Sequence, residues 1–173
     1  MKPHEAHRTH AQATLKIRIV TVSSSRYEMK EAGRPFTDGA GDVAEVESKK
    51  AGHNVTGREL ISDEPSMLRA QVVKFLKGGD DVLLFAGGTG VSSRDVTIET
   101  VRPYFDKELP GFGELLRRIS FERIGSAAML TRATAGVAKG KLLVCMPGSP
   151  DAVEMALRAA AAEFPHLIFV ARS

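Results

Sequence analysis

The sequence predicts an α/β domain of three layers, in which a mainly parallel central sheet is flanked by helices on both faces. Segments with strand patterns alternate with segments with helix patterns, as expected for parallel strands joined by crossover helices. One segment, DVLLFA at 81–86, is continuously apolar, which is typical of a central strand covered on both faces. The 173 residues are enough for one domain with a sizeable core.

Composition excludes several classes of protein. Hydrophobic residues make up 43% and charged residues 26%, an ordinary globular mixture. No apolar run approaches the roughly 20 residues that span a bilayer, and the N-terminal segment lacks the apolar region of a secretory signal. The single cysteine, Cys145, lies in an apolar strand and is expected to be inert core in a reducing compartment. The net charge of +3 is spread along the chain, so we expect a cytoplasmic protein without nucleic-acid or membrane partners.

The N-terminal segment, residues 1–13, is predicted to be a flexible tail. His4, His7 and His10 recur every three residues, which admits a metal-binding tract, but no cysteine or carboxylate cluster accompanies them. Residues 14–173 are predicted to form the single domain.

The first strand is predicted over 15–22, where LKIRIVTV alternates and is rich in β-branched residues. The Ser- and Gly-rich segment 23–41 is predicted to be a loop. A helix over 42–51 and a second strand over 53–61 follow.

The next helix opens at Asp63 and Pro65 and ends at Gly78-Gly79. Its apolar face is predicted to consist of Leu68, Val72, Phe75 and Leu76. The strand 81–86 comes after it, and Thr97 is then predicted to cap a helix over 98–106.

Pro110-Gly111 interrupts the helical pattern, and a further helix is predicted up to residue 124. Two strands over 129–137 and 141–146 are predicted to form a hairpin. The segment 147–164 begins with turn residues and continues as an alanine-rich helix, and 166–171 is predicted to close the sheet as an edge strand.

The glycine-rich loop after the third strand is the first candidate site. Gly87, Gly88 and Gly90 permit positive φ and let backbone N–H groups approach an anion closely. The following helix presents its N-terminus, which also favours phosphate. The loop is neither a Walker A motif nor GxGxxG, and a tight turn without ligand explains its spacing equally well.

Asp95 and Asp63 each admit two interpretations. A carboxylate beside a phosphate site implies an intervening cation, and Mg²⁺ with one or two carboxylates plus phosphate oxygens is the usual arrangement. Asp95 could instead cap the coming helix, although Thr97 is as good a cap and would leave Asp95 free. Asp63, in Asp-Glu-Pro, is either a helix cap or part of a metal or acid/base pair with Asp95.

The turn PGSPD at 147–151 follows the strand KLLVCM. Ser149 could offer a hydroxyl and backbone N–H groups to a ligand, or it could simply begin the helix.

Five short motifs follow one another along the chain: GGTG at 87–90, RDVT at 94–97, PGFGE at 110–114, GSAAML at 125–130 and PGSP at 147–150. They are accompanied by Glu99, Arg132-Ala133 and Ala135-Gly136. In this order and spacing they resemble the MoaB/MogA family of molybdenum cofactor biosynthesis proteins, over residues 15 to 165. The resemblance implies a domain that binds molybdopterin, a pterin with a dithiolene and a terminal phosphate. It also implies assembly into a trimer or hexamer, and other proteins of the molybdenum cofactor pathway as partners.

Active members of the family adenylylate molybdopterin with Mg-ATP, releasing pyrophosphate, in preparation for molybdate insertion. Two family aspartates tied to this chemistry match Asp63 and Asp95, which are also the residues expected to bind Mg²⁺. It places the substrate and nucleotide contacts at Ser23, Gly87, Gly88, Thr89, Gly90, Ser92, Arg94, Pro147, Gly148 and Ser149.

One position departs from the family pattern. Active relatives carry Ser-Asp after the first strand, whereas Ser23 is followed here by Ser24, and DGAG at 38–41 has alanine where the family has serine. A lost carboxylate would weaken nucleotide or metal binding. This departure favours a molybdopterin carrier as the alternative to catalysis. A domain for another nucleotide or pterin-like ligand, and an oligomerisation domain, are further alternatives.

Overall fold

The central sheet sets the architecture of the protein. In the computed structural model, which describes residues 14–173, six strands lie in the order β2-β1-β3-β6-β5-β4. Their bounds are β1 Lys16–Val22, β2 Asn54–Ile61, β3 Val82–Ala86, β4 Lys107–Glu108, β5 Thr134–Ala138 and β6 Lys141–Met146. The four strands β2, β1, β3 and β6 are parallel, while β5 and β4 extend the sheet in antiparallel fashion. The predicted three-layer α/β class is confirmed.

Seven α-helices connect the described strands. They are α1 Ser24–Glu31, α2 Gly39–Lys50, α3 Pro65–Lys77, α4 Thr97–Val101, α5 Pro110–Ile124, α6 Pro150–Ala160 and α7 Phe164–Arg172. Short 3-10 segments follow α4, α5 and α6 at Arg102–Tyr104, Gly125–Leu130 and Ala161–Glu163.

Each face of the sheet has its own apolar layer because side chains alternate along the strands. Ile17 and Ile19 of β1 lie in the layer formed with α2, α6 and α7. Val20 and Val22 lie in the opposite layer, which α3 and α4 complete. The predicted apolar face of α3 is confirmed, with Leu76 only partly buried.

The hairpin between β5 and β6 is confirmed. Its two turn residues, Lys139 and Gly140, have φ of 51° and 69°, the left-handed pair that suits the twist of two strands joined by a two-residue turn. Lys139 adopts this conformation without being glycine, and its N–H donates to Asp106 Oδ2 at 2.7 Å.

The predicted final strand 166–171 is wrong, because this segment lies in helix α7. A short apolar run does not distinguish a buried strand from a buried helix. Pro165 lies in the first turn of α7, and Phe164 and Ile168 lie four residues apart on its buried face. Packing against the rest of the core therefore selects the helix.

The predicted loop 23–41 is also partly wrong. It contains helix α1, which buries no residue and so lacks the apolar periodicity that reveals a helix in sequence. Helix α2 begins at Gly39, earlier than predicted, because the Asp38 side chain accepts a hydrogen bond from Gly41 N.

Two later segments also differ from the prediction. The predicted helix 98–106 is a short helix followed by a 3-10 turn, and the two-residue strand β4 was not predicted. The predicted strand 129–137 begins only at Thr134, after a 3-10 segment. The tail with its three histidines lies outside the described residues.

The sheet has one switch point. Strand β1 is followed by β2 on one side, whereas β3 lies on the other side of β1 and the chain continues from there towards β6. In open α/β sheets, ligands bind beyond the carboxyl ends of the strands at such a point, which lies here between β1 and β3.

Candidate active site

The glycine loop leaves β3 at the switch point and packs tightly against the end of β1. Gly87 has φ of 116°, and a Cβ there would lie 2.2 Å from the Val22 carbonyl oxygen. Gly87 N donates to Met146 O of β6 at 3.0 Å, which ties the loop to its other neighbour. A residue with a side chain would therefore not fit at this position.

The carbonyl groups of the glycine loop accept hydrogen bonds from Thr97 and Arg132. Thr97 Oγ1 donates to Gly87 O and Thr97 N donates to Gly88 O, both at 2.9 Å, and Arg132 Nη1 donates to Gly90 O at 2.7 Å. The described residues supply no acceptor for the amide N–H groups of Gly88, Thr89 and Gly90. The loop thus has the donors that an anion needs.

The prediction that Thr97 caps the following helix is wrong. Val96 occupies the cap position and makes no side-chain capping bond, while the Thr97 hydroxyl is buried against the glycine loop. Its role is to hold the loop.

A cavity of about 600 Å³ opens beside the loop. Its walls include the predicted residues Gly87, Gly88, Thr89, Gly90, Asp95, Pro147, Gly148 and Ser149. The remaining polar lining comes from Ser120, Thr131, Arg132 and Asp151, which sequence reasoning did not single out as site residues. The four come from α5, the segment before β5, and α6, so nothing local in the sequence marks them as neighbours of the loop.

Asp95 lies over Gly90 at the cavity. A Cβ on Gly90 would be 2.7 Å from Asp95 Oδ2, so the missing side chain makes room for the carboxylate. Asp95 Oδ2 accepts from Ser92 N at 2.9 Å, which closes the turn before α4 and shows that Asp95 is not the cap of that helix. In the described part of the chain no lysine or arginine forms an ion pair with Asp95.

Asp63 lies after β2 in a cluster of hydroxyl groups. The predicted cap is wrong, because Glu64 holds the cap position of α3. Ser24 Oγ donates a short hydrogen bond to Asp63 Oδ1, and Ser24 Oγ lies 2.8 Å from Ser62 Oγ. Among the described residues, no basic side chain pairs with Asp63.

Asp63 and Asp95 do not both line the cavity. Asp95 lines the cavity, whereas Asp63 is absent from its lining. Across residues 14–173 no group of three or more His, Cys, Asp or Glu side chains is arranged to hold a metal ion.

Three further predicted residues lie outside the cavity lining. Ser23 begins α1, with its N–H donating to Ile61 O at 2.9 Å. Ser92 forms the turn with Asp95, and the exposed Arg94 donates its N–H to Ser92 Oγ at 3.4 Å. The cavity lining contains Arg132 and not Arg94.

Ser149 fulfils both interpretations of the PGSPD turn. Its hydroxyl accepts from Ala152 N at 3.3 Å, which caps α6, and the same residue lines the cavity. Gly148 lets this turn approach the glycine loop, because a Cβ there would be 2.9 Å from Gly87 Cα.

The surroundings of Glu99 and Cys145 shift the pKa of each group in opposite directions. Burial raises the pKa of the Glu99 carboxyl, but the hydrogen bond from Arg132, a backbone hydrogen bond and the charges of Arg132 and Arg102 together outweigh burial and hold the pKa below its ordinary value. Burial raises the pKa of the Cys145 thiol, so that this core side chain carries no thiolate chemistry. No helix in residues 14–173 is long and apolar enough to cross a membrane.

A glycine loop with available amide groups, at the switch point of an open α/β sheet and beside a cavity, defines a class of domains that bind phosphate-bearing ligands. A family model described as "Probable molybdopterin binding domain" matches residues 18–166. The chain belongs to the MoaB/MogA family of molybdenum cofactor biosynthesis proteins, as the resemblance predicted.

The chain is similar in sequence to proteins whose names belong to the same family. Molybdenum cofactor biosynthesis protein B of Bacillus cereus is 42% identical over 153 residues, which cover 87% of this chain and 86% of that protein. The molybdopterin adenylyltransferase of Pyrococcus furiosus is 37% identical over 172 residues, 97% of this chain and 98% of that protein.

Solved structures show the same fold. The crystal structure of a molybdenum cofactor biosynthesis protein B has a TM-score of 0.82 and 40% identity, covering 91% of this chain and 96% of that one. The crystal structure of the tungsten cofactor synthesizing protein MoaB from Pyrococcus furiosus has a TM-score of 0.82 and 34% identity, and the match covers 94% of this chain and 100% of that chain.

Proposed function

We propose that the protein is a molybdopterin adenylyltransferase that uses Mg-ATP. The observation that carries the proposal is the glycine loop, whose carbonyl groups are held by Thr97 and Arg132 while its amide groups remain available beside the cavity. The cavity volume of about 600 Å³ is in the range of small-molecule sites. The names of relatives such as the adenylyltransferase of Pyrococcus furiosus support the same activity.

In the proposed reaction, an oxygen of the terminal phosphate of molybdopterin attacks the α-phosphorus of ATP. A new P–O–P bond forms, the bond from the α-phosphorus to the bridging oxygen breaks, and pyrophosphate leaves with that electron pair. Both reactants are highly charged, so positioning and charge neutralisation supply most of the catalysis and no covalent nucleophile is required.

The roles of the residues follow from their surroundings. The amide groups of Gly88, Thr89 and Gly90 bind a phosphate group, and Arg132, which lines the same cavity, holds the Gly90 carbonyl at the end of the loop. Ser149 lies on the opposite turn and confines the ligand within the cavity.

A divalent cation fits the carboxylate that lines the cavity. Asp95 has no basic partner in the described residues, so its charge is left for a cation shared with phosphate oxygens, and Asp63 is the second proposed ligand. Bound Mg²⁺ would neutralise phosphate charge and polarise the reacting phosphorus.

The test is to incubate the purified protein with molybdopterin, ATP and Mg²⁺ and to separate the products chromatographically. We expect adenylylated molybdopterin and pyrophosphate in equal amounts. Parallel reactions without Mg²⁺, and with a non-hydrolysable ATP analogue blocked between the α- and β-phosphates, should give neither product. If complete reactions give no product under conditions where molybdopterin binds, the proposal is wrong.

A second candidate function is a molybdopterin carrier without catalysis. The observation that favours it is the hydrogen bond from Ser24 to Asp63, at the position where active relatives carry an aspartate. The carboxylate of that aspartate is missing here, because residue 24 is serine. The carboxylate of Asp63 already accepts a hydrogen bond from Ser24. Tight molybdopterin binding combined with no effect of ATP would favour this candidate.

We also propose that the protein works as a trimer or hexamer. Large apolar side chains are exposed beside the cavity, namely Phe121, Ile124, Met129 and Leu130, and a subunit interface would bury such a patch. Light scattering coupled to gel filtration should give a mass three or six times 18.6 kDa, and a monomer would contradict this proposal.

A further inference from the structure

Arg132 connects three parts of the site. It precedes β5, and its guanidinium donates through Nη1 to Gly90 O at 2.7 Å and through Nη2 to Glu99 of α4. The side chain is about one third exposed and lines the cavity. One planar group thus links the end of the glycine loop to the helix that follows it.

The bonds to the loop carbonyls determine where its amide groups point. A peptide unit is planar and trans, so its C=O and its N–H point in opposite directions. Fixing Gly87 O and Gly88 O through Thr97 fixes the N–H of Gly88 and Thr89. Fixing Gly90 O through Arg132 fixes the N–H of Val91 in the same way.

Glu99 determines where the guanidinium lies. Thr97 and Glu99 both belong to α4, so the helix holds the start of the loop directly and the end of the loop through Arg132. Without the carboxylate, one of the two bonds that orient the guanidinium is lost, and rotation about the long arginine side chain moves the other.

We propose that Arg132 is a positioning residue which, oriented by Glu99, holds the Gly90 carbonyl and thereby fixes the end of the glycine loop, whose preceding amide groups bind the phosphate of the ligand. This inference rests on the proposed function, because it assumes that a phosphate group binds at the loop. It names an arginine–glutamate pair as part of the site although neither side chain need touch the substrate.

The alternative role for Arg132 is direct charge attraction to the ligand. The two roles separate because lysine keeps the charge but cannot make two divergent planar hydrogen bonds. They also separate at Glu99, whose removal frees the guanidinium for the ligand in the direct role but disorients it in the positioning role.

The experiment compares Arg132→Met, Arg132→Lys, Glu99→Met and the double variant Arg132→Met/Glu99→Met with the wild type. The kinetic readouts are kcat and KM for Mg-ATP and for molybdopterin. The dissociation constant of inorganic pyrophosphate in the presence of Mg²⁺, measured by calorimetry, gives a readout that does not depend on turnover. The melting temperature of each variant is measured as well.

We expect Arg132→Met to lower kcat/KM about 30-fold, mainly through kcat, because a misdirected loop loses alignment in the transition state. Arg132→Lys should behave like Arg132→Met. Glu99→Met should lower kcat/KM about fivefold, because methionine has no oxygen to accept from Arg132, and the double variant should be no worse than Arg132→Met, since both changes break one arrangement. Pyrophosphate binding should weaken in the same order.

The matched control is the pair Arg102 and Glu108. It is also an Arg–Glu ion pair, with Nη2 2.8 Å from Oε1, but neither residue lines the cavity. Arg102→Lys should leave kcat, KM and pyrophosphate binding unchanged.

Wild-type activity in Glu99→Met, or recovery of activity by Arg132→Lys, would overturn the positioning role. If Arg132→Met fails to fold, those two variants still decide the question. If the wild type makes no adenylylated product while pyrophosphate binding follows the expected order, the proposed function fails and the positioning role stands.

Discussion

The two ends of the central sheet both carry aspartates, and their partners differ in kind. At the amino end of the parallel strands, Asp80 and Asp81 precede β3 and are almost completely buried. At the carboxyl end, Asp63 follows β2 and Asp95 follows the glycine loop. Asp80 and Asp81 pair with basic side chains, whereas Asp63 and Asp95 accept hydrogen bonds from uncharged groups.

Each amino-end carboxylate has a cationic partner. Arg18 Nε donates to Asp80 Oδ2 at 2.8 Å and Thr56 Oγ1 donates to Asp80 Oδ1 at 2.6 Å. Asp81 accepts from Lys16 N at 2.9 Å and from Arg172 Nη2 at 2.7 Å. These bonds tie β1, β2 and α7 to the start of β3, so this end of the sheet is closed by ion pairs.

The carboxyl-end carboxylates have only uncharged donors among the described residues. Asp95 accepts from a backbone amide and Asp63 from serine hydroxyls. A carboxylate held by neutral donors keeps its full negative charge, which a cation bound to phosphate can share. This difference supports a structural role for one pair of aspartates and a catalytic role for the other.

The largest expected effect comes from Asp95→Asn. Asparagine keeps the shape and can still accept from Ser92 N, but it removes the charge proposed to bind the cation. We expect kcat to fall about 100-fold or more, with a melting temperature within about 2 °C of the wild type. Product formation and thermal melting measured on the same preparation test this prediction, and full activity would remove Asp95 from the mechanism.

Asp80→Asn should give the opposite pattern. The change removes the nearer of the two carboxylates that pair with Arg18 and leaves only Glu59, 3.6 Å from Nη1, which should lower the free energy of unfolding by about 2 kcal/mol. The melting temperature should then fall by about 4 to 8 °C while kcat at 25 °C is unchanged. A variant that keeps its stability but loses activity would invalidate the distinction between the two ends.

A smaller effect is expected for Ser24→Ala. The change removes the hydroxyl that orients Asp63, and a net loss of about 1 kcal/mol corresponds to a decrease of about fivefold in kcat/KM. Ser25→Ala is the matched control, since the Ser25 hydroxyl lies 3.4 Å from that of Ser23 and does not contact Asp63. Equal kinetics for wild type and Ser24→Ala would show that Asp63 acts without Ser24.

The smallest effect concerns the acid dependence of stability. Burial raises the pKa of Asp80, but the hydrogen bonds from Thr56 and Arg18 outweigh it and hold the pKa below its ordinary value of 3.8. A carboxyl whose pKa is lowered by folding stabilises the protein above its unfolded-state pKa, and this contribution is lost as the pH falls through the folded-state pKa. Urea unfolding at several pH values between 6 and 3 should therefore show a shallower loss of stability for Asp80→Asn than for the wild type. Parallel curves would contradict this prediction.

Parts of the site could be predicted from local sequence and parts could not. The glycine loop and the PGSP turn were found because glycine and proline mark them directly. Arg132 belongs to the family resemblance, but its contact with Gly90 could not be predicted, because it joins residues 42 positions apart. The same holds for Ser24 and Asp63, which are 39 positions apart.

The same contrast applies to the secondary structure. Helix α3 has a strong apolar period and clear end signals, and it was predicted nearly to the residue. Helix α1 has no buried residue, so its sequence has no apolar periodicity that predicts a helix. The segment of α7 predicts a strand because a short apolar run suits both structures.

By itself, the sequence determined the α/β class, the continuously buried third strand and the glycine loop, since alternation, apolar periodicity and glycine spacing are local properties. Tertiary structure decided which aspartates meet a cation and which side chain holds the Gly90 carbonyl. The strand order β2-β1-β3-β6 brings together loops that are far apart in the chain, and charge pairing depends on those distances.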